Sequence, residues 1–247
     1  MRTTNSVISA LAVASLSLAG MAVAQAQSTN QWNVSANAGL TLSRGNSRST
    51  QANAGVNADT KWDANEVMLG LSAGYGKANI NGTTSTTTET LDGVGQFNHL
   101  FNERLYGGLK VDLYHDGVAA IRYRLSVSPM LGYYFIKEAN TSLAGEVGPG
   151  YVYANQGGVR KSYLTLRLAD RFEHKFSDAA KIWQTAEILP QIDKFSNYLF
   201  NFELGAEAKM TTHLSLRTVF DDHYNSKPSA GRLKNDAIII AGVAYKF

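Results

Sequence analysis

The sequence predicts an all-β, closed antiparallel transmembrane β-barrel of about twelve strands, following a cleaved signal peptide. Three observations predict it. The chain of 247 residues is poor in charge, at 17% Asp, Glu, Lys and Arg against the roughly 25% of an ordinary soluble domain. Its hydrophobic content is an ordinary 44%, yet no stretch beyond the N-terminal leader approaches the ~20 apolar residues of a membrane helix. The apolar residues instead recur every second position, which puts them on one face of a strand and suits no helix.

The leader comes first. Met1-Arg2 precedes an uncharged stretch, residues 7–24, rich in Ala, Leu, Val and Ser, and Ala24-Gln25-Ala26 is a small-x-small cleavage site. That is the layout of a secretory signal peptide, assigned to residues 1–26, with the barrel in residues 27–247. The exported part carries nearly balanced charge and, like the whole chain, no cysteine. Disulfides, thiolate metal sites and cysteine nucleophiles are excluded. Acids are interleaved among the Lys and Arg, so no basic stripe marks a nucleic-acid partner.

The dyad opens at Trp32, Val34, Ala36, Ala38, Leu40 and Leu42, with Asn33, Ser35, Asn37, Thr41 and Ser43 between them. It returns at Leu105, Leu109, Val111 and Leu113, and again at Tyr123, Leu125, Val127, Pro129, Leu131, Tyr133 and Phe135. Leu164, Leu166 and Leu168 continue it, as do Phe200, Phe202, Leu204, Ala206 and Ala208. Turn signals interrupt it eleven times: at 44–47, 62–65, 79–86, 102–103, 117–121, 137–140, 155–160, 177–180, 194–197, 211–213 and 225–235. Eleven turns make twelve strands, each about 10–14 residues, which suits a tilted transmembrane strand plus rims. Even-numbered turns read as short and Asn/Asp-rich and several odd-numbered ones as longer and richer in Gly, Ser and Thr, the asymmetry of an outer-membrane barrel whose termini are periplasmic. The expected location is the bacterial outer membrane.

The last strand, DAIIIAGVAYKF, places Ile239, Ala241, Val243, Tyr245 and Phe247 on one face. Gly242, Tyr245 and Phe247 resemble the C-terminal signal read by the barrel-assembly machinery, and Ile240 departs from it, standing where a polar residue is usual. Three prolines, Pro129, Pro149 and Pro190, fall inside strands, where a closed barrel has no edge to hide a missing N–H. The 137–140 turn sets Pro129 opposite Pro149, so a local irregularity is expected there. Asp170 falls on the apolar face, requiring a bulge or an early exit from the membrane.

The polar face points into the lumen, since a Lys or Arg facing lipid at the midplane costs roughly 2–4 kcal/mol. The lumen-facing charges predicted are Lys110, Asp112, Arg122, Arg124, Glu146, Arg167, Arg171, Glu187, Glu203, Glu207, Arg217 and Lys246. Arg122, Arg124, Arg167 and Arg171 form a ladder that faces Glu146, Glu203 and Glu207. Such a ladder acts as a transverse field in a pore or as a salt-bridged plug; an eight-stranded barrel is filled and sixteen strands leave a channel, so twelve leave both open.

No catalytic or metal site is predicted and no cofactor is implied. His99, His115, His174, His213 and His223 make no HxxxH spacing, and neither His99 nor His115 has the adjacent serine of an outer-membrane lipase. Asp221-Asp222 are neighbours on a strand, so their carboxylates diverge. The glycine-rich run at 145–150 leads into no helix and is no nucleotide loop.

Several segments together carry a resemblance: Gly45-Asn46-Ser47; Ile121-Arg122-Tyr123-Arg124 leading to Gly132-Tyr133; Gly145-Glu146 through Gly148, Gly150 and Tyr151; and Tyr224-Asn225-Ser226-Lys227-Pro228 followed by Gly231, Lys234, Asp236 and the terminal Gly242-Val243-Ala244-Tyr245-Lys246-Phe247. In these the chain resembles the salt-induced outer membrane proteins, the domain of unknown function 481 family. The resemblance implies an outer-membrane barrel and attaches a salt response to it. It transfers no catalytic residue. The function expected is structural or passive permeation of small solutes, in contact with outer-membrane lipid. A lipid-modifying barrel enzyme and a soluble periplasmic β-rich binding protein are the alternatives.

Overall fold

The computed structural model describes residues 32–247 except 44–46 and 81. The signal peptide lies outside the described residues. Twelve strands follow one another: β1 (Asn33–Ser43), β2 (Ser47–Trp62), β3 (Asn65–Ile80), β4 (Thr83–Leu100), β5 (Leu105–Asp116), β6 (Ile121–Lys137), β7 (Thr141–Gln156), β8 (Val159–Ser177), β9 (Ala180–Gln191), β10 (Lys194–Lys209), β11 (Leu214–Asn225) and β12 (Asn235–Lys246). Each pairs antiparallel with its sequence neighbours, and β12 returns to β1 to close the barrel. Closure pairs backbone groups that a flat sheet would leave at its edges.

The strands are longer than the sequence suggested, reaching 18 residues in β4 and 19 in β8. The Thr-rich stretch expected as a loop is the start of β4, because β-branched Thr fits a pleated strand as well as a turn. What remains is a tight turn in which Asn79 Oδ1 accepts from the Gly82 N–H at 3.2 Å. The expected asymmetry of turn length is therefore mostly absent. The β7–β8 connection is only Gly157-Gly158, whose φ angles of +60° and +80° need glycine. The one long connection joins β11 to β12.

Side chains alternate about the wall. Leu40, Leu69, Leu71, Leu109, Leu113, Leu131, Val147, Leu168, Leu204, Leu216 and Ile239 are exposed on the outside. Aromatic pairs ring both ends of this apolar band, as at outer-membrane interfaces. Trp62–Phe97, Tyr133–Phe135 and Tyr245–Phe247 sit at the end bearing the C-terminus, here the lower end. Tyr123–Tyr153 and Tyr198–Tyr224 sit at the upper end.

The prolines interrupt the ladders without shifting them. Between β6 and β7 the pairs Val127–Tyr151 and Leu131–Val147 keep one register, and the ladder lapses where Pro129 faces Pro149. The strands press together there, and a Cβ on Gly148 would stand 2.0 Å from the Pro129 carbonyl oxygen. Pro190 similarly falls in the lapse between Thr165–Gln191 and Leu168–Ile188. No bulge re-aims Asp170. It faces Gly145 on one side and Ala186 on the other in unbroken register, and so stays on the outer face.

Candidate functional site: the lumen

The inward side chains of β6 and β7 are nearly all buried, whereas those of β1–β4 and β10–β12 border a cavity of about 730 Å³. The interior is thus filled on one side and open on the other. What fills it is a polar cluster that spans the barrel.

Glu146 on β7 is its centre, with a fully buried side chain. Its Oε1 accepts from the Tyr106 hydroxyl and the Gln96 amide, both at 2.8 Å, and lies 3.1 Å from Arg171 Nη2. Its Oε2 lies 2.9 Å from Arg167 Nη2. Arg167 turns its Nε to Glu187 on β9, which also takes Lys110 Nζ from β5 at 2.8 Å. Lys110 is shared with Asp112 at 3.0 Å. These bonds join β4 and β5 to β7, β8 and β9, and so run as a chord across the lumen rather than along its wall.

A second carboxylate extends the chord toward the lower end. Glu66 on β3 accepts from the Tyr134 hydroxyl at 2.9 Å and pairs with Lys61 at 2.9 Å. Asn98 links the two centres, donating to Glu66 and accepting from Gln96 at 3.1 Å. The Tyr106 and Tyr134 rings pack 5.2 Å apart, and Met68 and Met130 place their sulfurs against Arg171 and Arg167. Each buried charge of this cluster therefore has an opposite charge and further donors or acceptors, the condition for ions to sit out of water.

Trp183 forms a smaller buttress on the open side. Its indole N–H donates to Glu203, Arg217 lies over its ring at 4.5 Å, and its six-membered ring covers Gly205 so closely that no Cβ would fit.

The upper mouth is different in character. Asp92, Asp116, Asp221 and Asp236 border the cavity there. His223 pairs with Asp221 at 3.2 Å and packs 4.8 Å from the Tyr114 ring. Arg124 is buried with its guanidinium over the same Tyr114 ring, 5.6 Å from the centroid. The β11–β12 connection leans over this mouth toward β7: Gln156 donates to the Lys227 carbonyl at 2.9 Å, and buried Ser226 accepts from the Tyr198 N–H through its hydroxyl. The Tyr224-Asn225-Ser226-Lys227 motif is the anchor of this roof.

Of the charges named from sequence, Lys110, Asp112, Arg167, Arg171 and Glu187 both border the cavity and meet in the cluster, with Glu146 buried behind them. Glu203 and Arg217 meet at Trp183. Arg124 stands apart at the mouth. Arg122 is exposed beside a register shift at the start of β6, Glu207 is half-buried near the lower end, and Lys246 is exposed at the lower rim. The arginine ladder is therefore not continuous. Gln96, Asn98, Tyr106, Tyr134 and Trp183 were not singled out, although their inward parity is readable, because neutral partners carry no charge to flag them; Glu66, which does carry one, sits next to the 62–65 turn and was passed over with it. At the C-terminus, a Cβ on Gly242 would lie 2.1 Å from the Ala38 carbonyl oxygen across the closing seam, and Phe247 N–H donates to Val34.

An antiparallel barrel with an apolar outside, two aromatic rings and a charged interior defines the outer-membrane barrel class. The model of a family described as "Protein of unknown function, DUF481" matches residues 36–247, and the chain belongs to that family. No curated protein matches the sequence. Solved structures share the fold at low identity. The NanC porin aligns with TM-score 0.53 and 8% identity, over 87% of this chain and all of that one (100%). The COG4313 outer membrane channel from Pseudomonas putida F1 aligns with TM-score 0.51 and 9% identity, over 87% of this chain and 94% of that one.

Proposed function

We propose that the protein is a bacterial outer-membrane channel that lets small polar solutes cross passively, with its lower end in the periplasm. The observation that carries this reading is the division of the lumen: the buried cluster occupies one side and leaves a cavity of about 730 Å³ on the other, its wall a mixture of charged, polar and apolar side chains. The described turns other than the β11–β12 connection are short, so strand side chains form most of the cavity wall, with Val118 of the β5–β6 turn and the β11–β12 roof at the upper mouth. The names of the two aligned structures, a porin and an outer membrane channel, support the same reading. Export by the signal peptide, insertion by the barrel-assembly machinery and service under salt or osmotic stress belong to this proposal. Among the described residues no arrangement of nucleophile, base and orienting group favours the enzyme alternative: His174 meets Thr141 and His223 meets Asp221 and Asn201, without a serine.

Purified full-length protein in a planar bilayer is the test. Discrete conductance steps support the channel. Silence in both the unaltered protein and a variant with the cluster disrupted sinks it and leaves an envelope-structural barrel.

A further inference from the structure

The seam that closes the barrel is the least complete of its ladders. β1 and β12 pair only from Ser35–Lys246 to Ala38–Val243. Both strands continue upward beyond that point. β1 stays bonded to β2 as far as Ser43–Ser49, and β12 stays bonded to β11 as far as Tyr224–Asn235. The facing backbone edges of Gly39–Ser43 and Asn235–Gly242 thus have no ladder between them.

This gap lies at lipid depth, since Leu40 and Ile239 flank it on the outside with 62% and 68% of their surface exposed. Unpaired backbone in hydrocarbon is tolerated only where it borders a wetted cavity. The cavity is there: Gly39, Ile238, Ile240 and Gly242 all border it. At its lower end the gap is shut by backbone, with the Ala241 carbonyl oxygen 2.9 Å from where a Cβ on Gly39 would lie, and above that contact a side chain covers it from within. Ile240 reaches over Gly39, its Cγ2 standing 3.3 Å from where a Cβ on Gly39 would lie. The residue that departs from the usual C-terminal pattern is therefore an apolar latch on a seam of small residues. Around it the inner wall is apolar at Ile238 and Val219, with Asp221 and Asp236 beside them on the same two strands.

We infer that the upper half of the β1–β12 seam is a lateral outlet, through which a single-chain amphiphile with an ammonium head passes between the lumen and the outer leaflet. The tail leaves past Ile240, above the Gly39–Gly242 backbone contact, while the head stays with Asp236 and with Asp221 beside its partner His223. Moving Ile240 aside breaks no ladder bond, because none is formed there. Axial conduction of polar solutes does not depend on this outlet, so the two proposals fail separately.

The test places the full-length protein in phosphatidylethanolamine vesicles with a dodecylamine carrying a diazirine near its tail end, or the matching alkyl sulfate. Adducts are mapped residue by residue after illumination. The amine is expected on Ile240 and Val219, with the sulfate at least tenfold weaker. A disulfide in Leu40→Cys/Ala241→Cys, positions that the existing register would place opposite each other, is expected to abolish inward labelling, and reduction to restore it. Amine labelling confined to Leu40 and Ile239, labelling that survives the disulfide, or equal labelling by the sulfate overturns the outlet. Hydrogen exchange in the unaltered protein is the second readout. Fast exchange of the seam-facing amides in 237–241 supports it, and protection equal to that of the paired amides in β11 overturns it.

Discussion

Arg167 stands between two carboxylates from different strands, its Nη2 2.9 Å from Glu146 and its Nε against Glu187. It therefore ties β7 to β9 through β8, and Lys110 extends the tie to β5. Arg167→Met keeps much of the volume but leaves two buried acids short of a cation. Breaking a buried pair from one side costs about 3–5 kcal/mol. The variant is expected to unfold at markedly lower urea concentration in detergent, monitored by the heat-modifiable shift in gel mobility. Its conductance rises, because the unpaired acids pull water into the filled side of the lumen. A wild-type midpoint would show that the pair adds nothing.

The upper mouth carries the second prediction. Asp92, Asp116, Asp221 and Asp236 border the cavity there with His223 among them. Fixed charge in a pore concentrates counter-ions, and the field reaches ~30 Å at 0.01 M salt but only ~10 Å at 0.1 M. The protein is expected to prefer potassium to chloride, most strongly in dilute salt. Asp221→Asn/Asp236→Asn moves the reversal potential toward zero while leaving the folded, heat-modifiable form intact. An unchanged reversal potential locates the selectivity elsewhere.

How much of this was legible depends on what kind of signal each residue sends. Strand number and inward parity follow from alternation, and the lapse at Pro129 and Pro149 follows from one turn and the missing N–H groups. Which charges meet does not follow, because a chord such as Lys110–Glu187 joins strands far apart in sequence and depends on the stagger between them. Arg122 shows the same limit at small scale: the register shift at the start of β6 sets its orientation, and nothing in Ile121-Arg122-Tyr123 announces it. The short upper turns were misread because Thr and Ser serve strands and loops alike.

Asp170 supplies the third prediction. It lies on the outer face between Gly145 and Ala186, in a groove bordered by Leu105, Phe135 and Leu168. A carboxylate there is worse solvated than in water, and the penalty for acids on a lipid face is below that of Lys or Arg, about 1 kcal/mol at partial depth. Asp170→Leu is expected to stabilise the barrel in lipid vesicles by about that amount. A loss of stability instead would mean that the carboxylate has a partner in the membrane.

Gly242 supplies the last. Its missing side chain lets β12 approach β1 where their ladder ends, with the Ala38 carbonyl oxygen 2.1 Å from the site of a Cβ and the Gly39 Cα at 3.0 Å. The obstacle is backbone, so it cannot rotate away as a side chain would. Any Cβ must push the two strands apart at the last rung, Ala38–Val243, and only the rungs below remain to hold the barrel shut. Gly242→Val is expected to lower the yield of heat-modifiable barrel severely, and Gly242→Ala less so. Gly158→Ala is the control, since no atom lies within 4 Å of its Cβ site and only the φ of +80° opposes it. That conformation costs roughly 1 kcal/mol, so the control should fold with a small drop in stability. If Gly242→Val assembles as well as the control, the β1–β12 seam is not what limits closure.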